Sequence, residues 1–175
     1  NTMRKLLILA SNNSTWSKKV PVFSLVIHYD LLLSGALGRI LKERDTLGLI
    51  SCHSELPDAL ARTFGIKHIE FLKVPGEQIH AETLGAAAVA GQHWPERYNE
   101  ICEILDRPAD RHGQLWLVAS GLLGKIYAAK LKSSGAVVLD IGAVADLWMG
   151  KMTRVFPGLP ANACLQPMQD IFTLV

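Results

Sequence analysis

Two stretches of the chain place a short apolar run before a helical pattern and a second apolar run after it, the signature of a βαβ unit. In the first, Leu47 to Cys52 predicts a buried strand, Asp58 to Phe64 a helix, and Ile69 to Val74 a strand whose apolar members are Ile69, Phe71 and Leu72. Ser54 is placed to cap that helix, Pro57 to sit in its first turn, and Gly65 to stop it. In the second unit, Leu115 to Val118 predicts a strand buried on both faces, and Ala136 to Leu139 a second buried strand ending in Asp140. Between them Leu122, Leu123, Ile126, Tyr127, Ala129 and Leu131 recur at helical spacing as the apolar face, with Lys125, Lys130 and Lys132 opposite. Ser133-Ser134-Gly135 closes the helix.

The segment joining the two units is helical in pattern. Ile79 to Ala90 is alanine-rich, and His93-Trp94-Pro95 opens a further helix with Tyr98, Ile101, Cys102 and Leu105 on its inner face and Asp106-Arg107-Pro108 at its end. Upstream, Leu31 to Leu41 has helical spacing weakened by Gly35 and Gly38, Val20 to Ile27 is an apolar stretch broken by Pro21 and Ser24, Ser11 to Thr15 is a loop, and Arg4 to Ala10 is a helix end or a short strand. The expected fold class is α/β: a Rossmann-like parallel sheet flanked by helices in a three-layer sandwich, with ligands outside the carboxyl ends of the strands. Residues 1–175 read as a single domain, with a lead-in over 1–46, a nucleotide-binding-like core over 47–154 and a tail over 155–175. The first residue is Asn1 rather than a methionine, which points to truncation at the N-terminus and to a covalently linked upstream domain.

Composition narrows the classes. A chain of 175 residues suits one domain that buries about 70% of the surface its unfolded form exposes. With 49% hydrophobic and 19% charged residues, intrinsic disorder is excluded. A net charge of +2, spread along the chain, gives no footprint for a nucleic-acid partner. Cys52, Cys102 and Cys164 lie far apart, form no CxxC or Cys/His pair at zinc-ligand spacing, and are expected to be reduced thiols without bound zinc in a cytoplasmic protein. Met3-Arg4-Lys5 mimics the opening of a signal peptide, but Leu6 to Ala10 is shorter than the roughly 7–15 apolar residues of an h-region. No run approaches the roughly 18 apolar residues of a membrane span.

The candidate chemistry centres on Ala119-Ser120-Gly121-Leu122-Leu123-Gly124, which keeps the second and third glycines of the dinucleotide fingerprint and has alanine at the first. Asp140 follows near the offset of about 20 residues at which an acidic side chain reaches a ribose hydroxyl. Ser120, Gly121, Gly124, Lys125 and Asp140 are therefore nucleotide-binding candidates. On the alternative reading the glycines only let the helix pack on its strand and Asp140 caps the next helix. Glu77, after the Pro75-Gly76 turn, is a candidate base or sugar-hydroxyl acceptor, against a surface charge in a turn. Asp146 is a candidate catalytic or hydroxyl-binding carboxylate, and Trp148 a stacking platform for a base or a pyranose, against placement in a helix first turn and in the core. Arg154 could clamp a diphosphate, against simple solvation. His28, His53 and His93 lack ligand spacing with one another, so no metal site is expected. The absence of a Gly-x-Ser-x-Gly elbow argues against an α/β-hydrolase.

Residues 28–154, with SCHSELPDAL, VPGE, HWPERY, VASGLLGKIYAAKLKSSG and LDIGAVADLWMGKMTR, resemble the C-terminal part of bacterial GT-D-type glycosyltransferase-like domains. GLLGKIY and LDIG followed by ADLWMGK carry the resemblance most specifically. It implies a Rossmann-like domain that takes a nucleotide-activated sugar in cell-surface polysaccharide assembly, with Mn or Mg on an acidic DxE-type motif nearer the N-terminus. No D-x-D or D-x-E triplet stands upstream of Leu47, and Glu43-Arg44-Asp45 reads as a solvated helix end. The metal is then supplied by a site not evident in this chain, or the domain is non-catalytic. Three readings follow: a glycosyltransferase in which Gly121, Gly124, Lys125 and Arg154 hold the diphosphate while Glu77 or Asp146 activates an acceptor hydroxyl; a non-catalytic nucleotide-binding or scaffold module; and, weakest, an NAD-dependent oxidoreductase.

Overall fold

The computed structural model describes residues 27–42 and 44–155. The expectations for Arg4 to Ala10, Ser11 to Thr15, Val20 to Ile27 as far as residue 26, Glu43, Cys164 and the tail beyond 155 lie outside the described residues. In chain order the elements are α1 (Ile27–Leu33), α2 (Ala36–Lys42), β1 (Thr46–Ser51), α3 (Leu56–Phe64), β2 (His68–Lys73), α4 (Ala81–Leu84), α5 (Ala86–Val89), α6 (Tyr98–Asp106), β3 (Leu115–Val118), α7 (Gly124–Ser133), β4 (Val137–Asp140) and α8 (Val144–Trp148). The strands pair in the order β2-β1-β3-β4, all parallel. Leu49 of β1 stands between Phe71 of β2 and Leu117 of β3, and Leu117 in turn pairs with Leu139 of β4.

This order accounts for the layering. From β1 the chain passes outward to β2, and from β3 it passes outward in the opposite direction to β4. Crossovers of one hand therefore lay α3 and α7 on opposite faces. Strand alternation supplies both cores. Leu47, Leu49, Leu115 and Leu117 face α1, α2, α3 and α8, where Leu32, Leu37, Leu41, Leu60 and Trp148 complete one cluster. Ile50, Trp116 and Val118 face α6 and α7, where Ile101, Leu105, Tyr127 and Leu131 complete the other. Gly48 occupies the inward position of β1 on that second face because Trp116 fills its space: an ideal Cβ at residue 48 would come within 2.0 Å of the indole. The Rossmann-like three-layer expectation is met, and both βαβ units form where the sequence places them.

Several local expectations are corrected. Ser54 does not cap α3. The helix opens at Leu56, whose N–H reaches the His53 carbonyl, and Ser54 lies in the turn before it. Gly65 does end α3, at φ +72°. The segment from Ile79 to Ala90 is not one helix, since a tight turn over Gln78–His80 leads to α4, and Gly85 at φ +90° separates α4 from α5. Likewise Ser34 and Gly35 divide Leu31 to Leu41 into α1 and α2. α7 starts at Gly124, and its buried ridge is Tyr127 and Leu131 with Leu123 partly covered, while Leu122, Ile126 and Ala129 are exposed. A helix covering a sheet margin needs only a narrow apolar stripe. For the same reason β4 is not the buried strand its sequence suggests: it is the sheet edge, and Val137 is 52% exposed. Among the described residues no helix is long and apolar enough to cross a membrane.

Candidate functional site

The strand order reverses direction between β1 and β3, and the loops leaving their carboxyl ends diverge there. This opens the crevice that doubly wound sheets present to ligands. Its volume is about 1230 Å³, above the roughly 300–1,000 Å³ of ordinary small-molecule sites. Glu77 comes from the loop after β2, Ser120, Gly121 and Lys125 from the turn into α7, and Asp140 from the end of β4. Asp146 and Arg154 come from α8 and the segment after it. His28 and Tyr29 of α1 close one wall.

The glycine turn is built for close approach. Gly121 adopts φ +59°, and a Cβ there would fall 2.6 Å from Glu77 Oε1. The N–H groups of Gly121, Leu122 and Leu123 have no hydrogen-bond acceptor among the described residues, whereas those of Gly124, Lys125 and Ile126 are taken by the carbonyls three residues back. Ser120 Oγ is buried without a hydrogen-bond partner among the described residues. Gly124 itself lies beneath the turn: a Cβ would meet Ser120 Oγ at 2.8 Å and Val118 Cγ1 at 3.0 Å. It packs the helix onto β3 and does not line the crevice.

Each of three carboxylates lining the crevice holds a basic side chain. Asp140 accepts from Lys125 through Oδ2 and from the Gly142 N–H through Oδ1 at 3.2 Å. Arg154 donates to Glu77 Oε2 at 3.0 Å, and His80 Nε2 stands 3.6 Å from the same oxygen. His53 Nε2 lies 2.8 Å from Asp146 Oδ1, and Thr153 Oγ1 donates to Asp146 Oδ2. His53 titrates well above its ordinary value, at about 9: burial opposes the charge, but hydrogen bonds to Asp146 and to the neighbouring Cys52 outweigh it. Burial holds His28 below its ordinary value, against the pull of Asp140.

Seven of the nine site residues expected from sequence thus line one crevice: Glu77, Ser120, Gly121, Lys125, Asp140, Asp146 and Arg154. Trp148 does not. It is the last residue of α8 and is buried in the core, so it offers no stacking face. Among the described residues the tryptophan that lines the crevice is Trp94, 62% exposed, its ring centroid 4.8 Å from that of Tyr98. The sequence pattern places Trp94 within His93-Trp94-Pro95 at a helix start. Its signal was its place beside Pro95 in an insert between two βαβ units, where loops overhang the strand ends. His80 also lines the crevice without a signal in the sequence, while Cys52 lies at a strand carboxyl end, where ligands are expected.

Of the Glu43-Arg44-Asp45 triplet, Asp45 offers no substitute for an acidic metal motif at the crevice. Asp45 precedes the amino end of β1, opposite the crevice, and pairs with Lys67 at 3.0 Å. The architecture is that of a Rossmann-like α/β domain. Comparison with protein-family models, with curated proteins and with solved structures finds no match to this chain.

Proposed function

We propose that the chain binds a nucleotide-activated sugar in the crevice and acts as a glycosyltransferase-like domain. The observation that carries this reading is the convergence of candidates from separate segments on the switch point between β1 and β3. The pairing of their charges adds chemical sense. Diphosphate oxygens compete for Lys125 and Arg154 and for the free N–H groups of Gly121, Leu122 and Leu123. As the cations turn to phosphate, the Asp140 and Glu77 carboxylates become available to hydroxyl groups. Asp140 then accepts from the ribose, and Glu77 accepts from a sugar or takes the proton of the attacking acceptor hydroxyl. Trp94 supplies an exposed aromatic face for the base or the pyranose.

In this arrangement catalysis rests on electrostatics. Charge grows on the leaving diphosphate, where fixed N–H donors and two cations are already placed. Asp146 is committed to His53 and Thr153 and is the poorer base candidate. The resemblance to GT-D-type domains supports a sugar nucleotide over NAD, and cell-surface polysaccharide assembly is the setting it implies.

Titration calorimetry with uridine and guanosine diphosphates, their sugar conjugates and NAD, each with and without manganese, tests the reading. Binding of a nucleoside diphosphate with release of sugar in the presence of an acceptor supports the enzyme. Binding without turnover leaves a non-catalytic nucleotide module. Absence of binding across the panel rejects the proposal.

A further inference from the structure

Cys52 and His53 leave the carboxyl end of β1, and Asp146 lies on α8, 93 residues beyond His53. The fold brings the Cys52 sulfur, a His53 ring nitrogen and an Asp146 carboxylate oxygen within 4.8 Å of one another. The cluster is covered: Cys52 is 6% exposed and His53 4%, and the Asp146 side chain 18%. From this geometry we propose that Cys52, His53 and Asp146 are the three protein ligands of a zinc-class divalent cation whose fourth position opens to the crevice.

The donor set selects the metal. A thiolate and an imidazole with one carboxylate suit zinc, whereas magnesium and calcium take oxygen. Bonds of about 2.0–2.3 Å arranged tetrahedrally place ligand atoms about 3.5 Å apart. The observed separations, from 2.8 Å between His53 Nε2 and Asp146 Oδ1 to the 4.8 Å limit of the cluster, bracket that value. An ion of that bond length replaces the His53–Asp146 hydrogen bond, so the 2.8 Å separation lengthens while the wider ones in the cluster shorten.

The surroundings are those of a ligand set held in place. Thr153 Oγ1 donates to Asp146 Oδ2, which leaves Oδ1 turned toward His53. That is the outer contact by which ligating carboxylates are oriented. The His53 backbone N–H is held by Ser51 Oγ at 3.3 Å, fixing the turn that carries both β1 ligands. Cys52 and Asp146 line the main crevice, while Cys52 and His53 line a second, smaller cavity. An ion among them faces the main crevice on the Cys52 and Asp146 side and the smaller cavity on the Cys52 and His53 side. Three protein ligands with one position open is the pattern of a catalytic zinc, which polarises a bound water or a substrate oxygen. The proposal does not depend on nucleotide binding.

The full chain, produced with added zinc and purified without chelator, should carry about one zinc by elemental analysis, as a three-ligand site predicts. Cys52→Ser, His53→Asn and Asp146→Asn should each lose it, and Thr153→Ala should hold zinc about 10–100-fold more weakly in chelator competition. Cobalt substitution keeps the test valid if a ligand variant fails to fold, because the wild-type protein should then show the near-ultraviolet absorption of a cobalt–thiolate bond. Two results overturn the proposal. One is wild-type protein that stays metal-free and shows no cobalt–thiolate absorption. The other is bound zinc that survives all three ligand substitutions in folded protein. Failure of nucleotide binding alone leaves the zinc result standing.

Discussion

Lys125, in the first turn of α7, donates to the carboxylate of Asp140 at the end of β4, bridging the two ends of the second βαβ unit across the crevice. A cation at a helix start is unfavourable beside the positive end of the helix dipole, and Asp140 offsets it. The pair is exposed on the lysine side, so it contributes only about 0–1 kcal/mol to folding. A diphosphate would take Lys125 from Asp140. Lys125→Ala should then weaken nucleoside diphosphate binding by roughly 1.5–3 kcal/mol, the range for a hydrogen bond to a charged group, with the unliganded melting temperature nearly unchanged. Calorimetry on the two proteins decides, and equal dissociation constants would return Lys125 to a purely local ion pair.

Gly124→Val should destabilise the fold. The new side chain meets Ser120 Oγ and Val118 Cγ1 inside van der Waals distance. Overpacking of that kind costs about 1–3 kcal/mol. Because Ser120 must shift with it, nucleotide affinity should fall as well. A thermal melt that matches the wild type would show that α7 does not need this approach to β3.

The layered fold was legible because buried parallel strands are short continuous apolar runs, and two of them bracket each helix. What sequence misjudged was depth. Val137 and Ile126 are as apolar as core residues, but their exposure is set by β4 being the sheet edge, and edge or centre is decided by pairing that no local pattern encodes. The crevice was legible for the same reason as the fold: Glu77, Ser120, Lys125 and Asp140 all sit at strand carboxyl ends, which topology makes neighbours. The Cys52, His53 and Asp146 cluster has no local ligand spacing to reveal it, since Asp146 lies 93 residues beyond His53. Its members meet only when α8 folds back over the end of β1.

Trp94 and Trp148 separate binding from stability. Trp94 is exposed at the crevice, so Trp94→Ala should leave the melting temperature close to wild type. It should weaken binding of a nucleoside diphosphate by about 1–3 kcal/mol, the worth of stacking a base on an aromatic ring, while leaving inorganic pyrophosphate unaffected. Trp148→Ala empties a core position and should cost about 3–5 kcal/mol of stability. Equal losses of diphosphate and pyrophosphate affinity in Trp94→Ala would place that ring away from the base.

His93 should set part of the acid limit of stability. Its Nε2 lies 2.9 Å from the Tyr127 hydroxyl. Burial, aided by the nearby Arg97 charge, holds His93 below its ordinary 6.5. The unfolded chain therefore binds a proton at pH values where the native protein still refuses it. Stability contributed by the neutral ring is complete above pH 6.5 and is lost as pH falls from there toward the lower native value. Chemical denaturation between pH 7.5 and about 5 should show a declining midpoint in the wild type, and a shallower decline in His93→Gln, which keeps a polar group beside Tyr127 without a titrating one. Parallel declines in the two proteins would assign the acid sensitivity elsewhere, with His28, also held low by burial, the next group to replace.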